Sequence, residues 1–175
     1  MRPLDVVVSV QIALAQGAPG TIATLADSLG MDHAQVHRAL RNSVASGLIQ
    51  GDRVGHRVAY RANHAALVEF LVHGVRYVFP PVRGGNTRGL ATGYAAGVMA
   101  AHIAPGDAPP PVWPHPDGST RGETLVPLHR CVPDAARRDP ALYAAMALVD
   151  VLRAGRARER TIATRLLPGV LRGAA

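Results

Sequence analysis

Six side chains between residues 33 and 42 carry the hydrogen-bonding chemistry that reading a base pair requires. If residues 32 to 46 form a helix, Val36, Ala39, Leu40 and Val44 turn inward. His33, Gln35, His37, Arg38, Arg41 and Asn42 are then left facing outward. Arg offers paired donors to guanine, and Gln or Asn pairs with adenine in the major groove. Arg53, His56 and Arg57 follow at or near the tip of a predicted hairpin, within reach of phosphates or the minor groove. Residues 33 to 61 hold Arg38, Arg41, Arg53, Arg57 and Arg61 against Asp52 alone, the charge footprint of a phosphate-contacting surface. A solvated charged face is the alternative reading of the same residues.

Other reactive side chains lack partners. His33 and His37, four apart on one helical face, could hold a metal ion, but no third ligand accompanies them. His129 and Cys131 mimic a base and nucleophile without an orienting group. Only Glu69, Glu123 and Glu159 are glutamates, which leaves little for general acid chemistry. Gly84-Gly85-Asn86-Thr87-Arg88-Gly89 lacks the Gly-Lys-Ser/Thr ending of a phosphate loop. The expectation is a non-enzymatic protein with no cofactor and no metal.

The base-reading side chains need a rigid carrier. Thr21 predicts the cap of a helix over 22–29, with Ile22, Leu25, Ala26 and Leu29 on its buried face. Gly30 supplies the turn and Met31 an apolar plug. Asp32 caps the next helix and forms a capping-box pattern with Gln35. Gly47 ends it. Residues 48–50 predict a strand, 51–55 a turn and 56–60 the return strand. Upstream, Leu4, Val8, Ile12 and Ala15 give one apolar stripe of a first helix. Asp5, Ser9 and Gln11 argue against a signal peptide there.

Met31-Asp32-His33-Ala34-Gln35-Val36-His37-Arg38-Ala39-Leu40, followed by Gly47-Leu48-Ile49, resembles the recognition helix and wing entry of MarR-type and related bacterial winged-helix regulators. In that family a capping residue opens the helix and a buried Val follows four residues on. Gly-Leu-Ile then ends the helix and begins the wing. The resemblance covers residues 4 to 73. It implies a winged helix-turn-helix, with helix 32–46 in the major groove and hairpin 48–60 as wing. By position, Gln35, His37 and Arg38 match base-contacting residues, and Arg53 and Arg57 match the wing. The wing is shorter than in typical MarR proteins, and the long dimerisation helices that flank that fold are not evident.

Beyond residue 62 the chain changes character. Asn63 predicts the cap of a helix ended by Gly74, and Val75 to Phe79 alternates like a strand. Residues 82–132 are rich in Gly and Pro and predict loops with short strands, for instance over 124–128. Trp113, among prolines, is either a partner anchor or the cap of a small core. Thr87-Arg88-Gly89 and Thr120-Arg121-Gly122 echo each other and read as turns. Asp139 and Pro140 open a helix to about Arg153, with Leu142, Met146, Val149 and Leu152 buried. A further helix over 156–167 is surrounded by Arg153, Arg156, Arg158, Arg160 and Arg165. This order also resembles the antitoxin or regulator partner of some bacterial toxin–antitoxin and defence loci. That resemblance implies autorepression and a toxin docking on residues 75–175.

Composition sets the bounds. The 175 residues carry a formal net charge of +7, and all 19 basic residues are Arg. With abundant Ala, Gly and Pro, that reads as a compositional bias, so charge placement matters more than the total. Cys131 stands alone, so no intramolecular disulfide forms, which fits a reducing cytoplasm. No stretch is long and apolar enough to span a bilayer. The expected fold class is mainly α with small β elements (α+β). Residues 1–74 would be the DNA-binding domain, and 75–175 a dimerisation or partner-binding domain with a helical pair at 139–167. The expected function is a cytoplasmic, homodimeric repressor of double-stranded DNA. A protein-interaction module, antitoxin or adaptor, is the alternative. An RNA binder fits less well, because the basic surface lacks stacking aromatics.

Overall fold

Pro3 opens helix α1 (Pro3–Leu14), and its fixed φ suits the first helical position. The Asp5 carboxylate accepts the Arg2 backbone N–H at 2.6 Å, satisfying one of the free donors of the first turn. The run Val6-Val7-Val8 is a poor helix former by propensity. Burial overrides that preference. Leu4, Asp5, Val6, Val7, Val8, Ser9, Val10, Ile12 and Ala13 are all buried, so α1 is enclosed on every side. The single stripe of Leu4, Val8, Ile12 and Ala15 expected from spacing therefore understates it.

The computed structural model describes residues 1–16, 21–54, 57–103 and 108–173. It is an α+β fold. After α1 come α2 (Ile22–Leu29), α3 (His33–Ala45) and a two-stranded hairpin, β1 (Ile49–Val54) with β2 (Arg57–Ala62). The hairpin is antiparallel, with Ile49 opposite Ala62 and Val54 opposite Arg57. Gly51, Asp52 and Arg53 thus lie within β1 and not in the turn expected at 51–55. Gly55 and His56 lie outside the described residues.

Asn63 caps α4 (His64–Glu69), accepting the Ala66 N–H at 3.3 Å. Gly74 does not end the helix. A π-turn over Phe70–Gly74 leads into α5 (Val75–Val78), so the strand expected at 75–79 is helical. Leu67, Leu71 and Val75, spaced by four and fully buried, outweigh the β-propensity of Val-Arg-Tyr-Val-Phe. Gly74 holds φ −108°, a value that does not need glycine.

The Gly- and Pro-rich middle forms a closed three-stranded sheet. β3 (Arg83–Ala91) runs antiparallel to both β4 (Pro111–Pro114) and β5 (Thr120–Leu125), and β4 runs parallel to β5. Each strand pairs with the other two. The two Thr-Arg-Gly echoes are not turns. They are partner strands, with Thr87 opposite Gly122, Arg88 opposite Arg121 and Gly89 opposite Thr120. Their glycines are required by packing: a Cβ on Gly89 would strike the Trp113 carbonyl, and one on Gly122 the Pro110 carbonyl. Short α6 (Gly97–Ala100) lies between β3 and β4.

Helix α7 (Val132–Arg138), not anticipated from the pattern, leads to α8 (Pro140–Ala154) and α9 (Ala157–Leu171). Asp139 caps α8, accepting N–H groups of Ala141 at 2.9 Å and Leu142 at 3.0 Å. The continuation of α9 through Pro168, past the expected end at Leu167, follows from burial of Leu167, Val170 and Leu171. Arg153 is also not on an exposed arginine face. It is buried and paired with Asp150 at 2.8 Å, and its Nε–H donates to the Phe79 carbonyl at 2.9 Å. The same Asp150 carboxylate accepts from Trp113 Nε1 at 2.5 Å and Thr92 Oγ1 at 3.0 Å. Burial pushes this carboxyl up, opposed by the Arg153 guanidinium and the donated hydrogen bonds. Trp113 is fully buried and packs edge-on against Tyr143, which removes it as an exposed partner anchor. One hydrophobic core joins α1, α2, α3, α4, α8 and α9.

Candidate nucleic-acid interface

Local chemistry sets how α2, the turn at Gly30 and α3 follow one another. The Thr21 hydroxyl accepts the Thr24 N–H at 3.1 Å and starts α2. Gly30 takes φ +61°, and Met31 N–H closes the turn on the Ala26 carbonyl at 2.9 Å. Asp32 then caps α3 through Ala34 N–H at 2.7 Å and Gln35 N–H at 3.4 Å. The reciprocal half of the expected capping box is missing among the described residues, and the Gln35 side chain is exposed.

Helix α3 buries Val36, Ala39, Leu40 and Ser43. Val44, expected inside, is 39% exposed. The reason lies in α1: the Ser9 hydroxyl meets that of Ser43 at 3.1 Å, and both hydroxyls donate to the Asp5 carbonyl. This small polar contact holds Ser43 against α1, and Val44 beside it faces solvent. His33, Gln35, His37, Arg38 and Arg41 are exposed. His37, Arg38 and Arg41 follow helical spacing along one stripe. Asn42 departs from the expected set. It is half-buried, and its amide donates to the Asp5 carboxylate at 3.2 and 3.3 Å. Its amide donor therefore holds α3 to α1 instead of facing solvent.

Arg53 is exposed on β1, three residues from Gln50, which is also exposed. Arg57 lies on β2 opposite Val54. His56 is outside the described residues. The structure thus brings five of the named side chains onto the open face of α3 and leaves Arg53 on the neighbouring hairpin.

Residues remote in sequence adjoin this face. Arg2, Pro3, Leu4, Gln35, Arg38, Ala39 and His129 line a cavity of about 250 Å³. A second, of about 350 Å³, lies beside the turn between α2 and α3 and is bordered by Gly30, Met31, Arg130, Cys131 and Arg138. Arg138 anchors that seam by donating to the Ser28 carbonyl at 3.1 Å. No spacing rule links residues 2, 38 and 129, so only the fold shows their proximity.

His129 and Cys131 do come together, with Nδ1 and Sγ 3.0 Å apart. Their protonation states oppose nucleophilic use. Burial pushes the Cys131 thiol up to about 11, and burial together with Arg130 lowers the His129 imidazole. Both groups are therefore neutral near pH 7, and the reactive thiolate is scarce. His33 and His37 are both exposed, and among the described residues no group of three or more His, Cys, Asp or Glu is placed to hold a metal ion. Among those residues, no helix is long and apolar enough to cross a membrane. No protein-family model, curated protein or solved structure matches the chain.

Proposed function

We propose that this chain is a sequence-specific double-stranded DNA-binding transcriptional regulator, acting as a repressor through a winged helix-turn-helix. The observation that carries this reading is the exposed donor stripe on α3. A capped, core-anchored helix presents Gln35, His37, Arg38 and Arg41 to solvent, beside a hairpin that bears Arg53. Placed in the major groove, α3 reads base edges with Gln35, His37 and Arg38. Arg41, Arg53 and Arg57 hold phosphates, and β1–β2 serves as the wing. The protein works in the cytoplasm, as a homodimer and without a cofactor or enzymatic activity.

A second reading, a protein-interaction module such as an antitoxin or adaptor that binds a partner through residues 75–175, is favoured by one feature shared between that segment and the residues just before it. A groove of about 510 Å³ between the α4–α5 segment and α9 is lined by His73, Arg76, Tyr77, Arg160 and Arg165. Tyr77 is 75% exposed there, so an acidic partner segment would find both charge and an aromatic face.

Fluorescence polarisation on the DNA upstream of the protein's own coding region, with a scrambled duplex as competitor, separates the two. Specific binding that weakens steeply with salt is expected. Arg38→Ala should lose about 1–3 kcal/mol of specific binding, roughly five- to 150-fold, if Arg38 pairs with guanine. Equal binding to the scrambled duplex overturns the regulator reading in favour of the second.

A further inference from the structure

The cavity beside α3 draws donors from three distant parts of the chain. Arg2 comes from the start of α1, Gln35 and Arg38 from α3, and His129 from the segment before α7. No carboxylate lines it. Asp5, the nearest acid in sequence to Arg2, is buried and turned to Asn42 and the Arg2 backbone. Among the described residues, the Arg2 and Arg38 guanidinium groups have no ion-pair partner.

A main-chain contact assigns the tautomer of His129. The Cys131 backbone N–H donates to Nδ1 at 3.3 Å, so Nδ1 is an acceptor and the ring proton is on Nε2. Burial and Arg130 keep the ring neutral, so it is a hydrogen-bond donor without charge. A cavity of about 250 Å³ falls below the ~300–1,000 Å³ usual for small-molecule sites. Cationic forks and a neutral N–H donor around a small open hollow match the oxygens of a phosphate group.

We infer that this cavity seats one backbone phosphate of the bound duplex, held by Arg2 and the Nε2–H of His129. The inference rests on the DNA-binding reading and adds residues outside the helix–turn–helix to it. Arg2 and His129 are positioning residues. By pinning a phosphate at the edge of α3, they hold the duplex against the helix without reading any base themselves. The segment before α7 thereby becomes part of the DNA surface, and not only of the core.

The test uses the full chain with Arg2→Ala and His129→Ala, on the operator and on a scrambled duplex across a salt series. Loss of Arg2 removes one cation from a phosphate, so the log–log salt slope should fall in magnitude by about 0.9. Loss of His129 removes a neutral donor, so affinity should drop roughly tenfold with the slope unchanged. Neither change should alter the ratio of operator to scrambled binding, because a phosphate carries no sequence information. Arg2 is exposed, so its variant guards against a folding defect at His129. In parallel, inorganic phosphate is titrated against the His129 Nε2–H resonance, which should shift saturably in the wild type and not in Arg2→Ala. Intact DNA binding with an unchanged slope in Arg2→Ala overturns the seat and leaves the regulator reading standing. A saturable phosphate shift without DNA binding shows a hollow for free phosphate and overturns both the duplex seat and the regulator reading. Absence of both overturns the seat and the reading together.

Discussion

Cys131 and His129 lie in contact, yet their surroundings hold both in the unreactive form. Burial raises the thiol from its ordinary 9.0 to about 11. A raised acid favours the protonated folded state. Below pH 9 the unfolded chain gains nothing; as pH rises from about 9 towards 11 the unfolded thiol ionises first and folded stability falls. Alkylation of the folded protein by iodoacetamide should accordingly show a pH midpoint near 11. A midpoint near 9 would mean that the thiol is solvated and the burial argument is wrong. Asp150 teaches a related lesson about buried charge. Its carboxylate is tolerated because Arg153, Trp113 and Thr92 all donate to it. Spacing alone left Arg153 among a ring of exposed arginines, since nothing in the local pattern shows that Trp113 and Thr92 converge on Asp150.

At the level of elements, the closed sheet depends on close backbone approach. Gly89, Gly118 and Gly122 each face another strand or loop where a side chain would collide with main-chain atoms. Gly85, in the same strand as Gly89, has open space. Gly89→Ala or Gly122→Ala should cost about 3 kcal/mol or more in urea unfolding, because backbone cannot yield as a side chain can. Gly85→Ala should change stability by less than about 0.5 kcal/mol. Equal effects at the three positions would show that the strands are not closed on one another. The sequence marked these glycines through the Thr-Arg-Gly echo, but as turns. Turn and tight-sheet glycines look alike until their partners are known. The helices around them were legible because cap, apolar spacing and stop coincide, as at Thr21, Gly30 and Asp32. Where the signals conflict, as at Gly74 and Pro168, burial of Leu71 and Val75 or of Leu167 and Leu171 decides.

For the whole molecule, α1 is the shared element. It contacts α3 and β2 on one side of the chain and α8 and α9 on the other. All of its central valines are buried, so removal of α8 and α9 would expose apolar surface along its length. A fragment of residues 1–74 should therefore show no cooperative thermal transition by circular dichroism, whereas the full chain should unfold in one step. A cooperative transition in the fragment would show that the core contacts of α8 and α9 are dispensable for the first half. The terminal helices already pair within one chain, so a homodimer would need surface other than α1.

The sequence by itself determined the α+β class, the limits of α2 and α3, and the outward direction of Gln35, His37, Arg38 and Arg41. Those features follow from interactions within a few residues, where a cap, a left-handed glycine and a 3.6-residue period leave little choice. Only the tertiary structure decided that Asn42 turns to Asp5 and that Val44 faces solvent. It alone made the two Thr-Arg-Gly segments partner strands and brought Arg2 and His129 beside Arg38. Each of these depends on groups far apart in the chain. Their meeting is set by how a buried α1 seats the elements around it, and no local pattern of residue types encodes that.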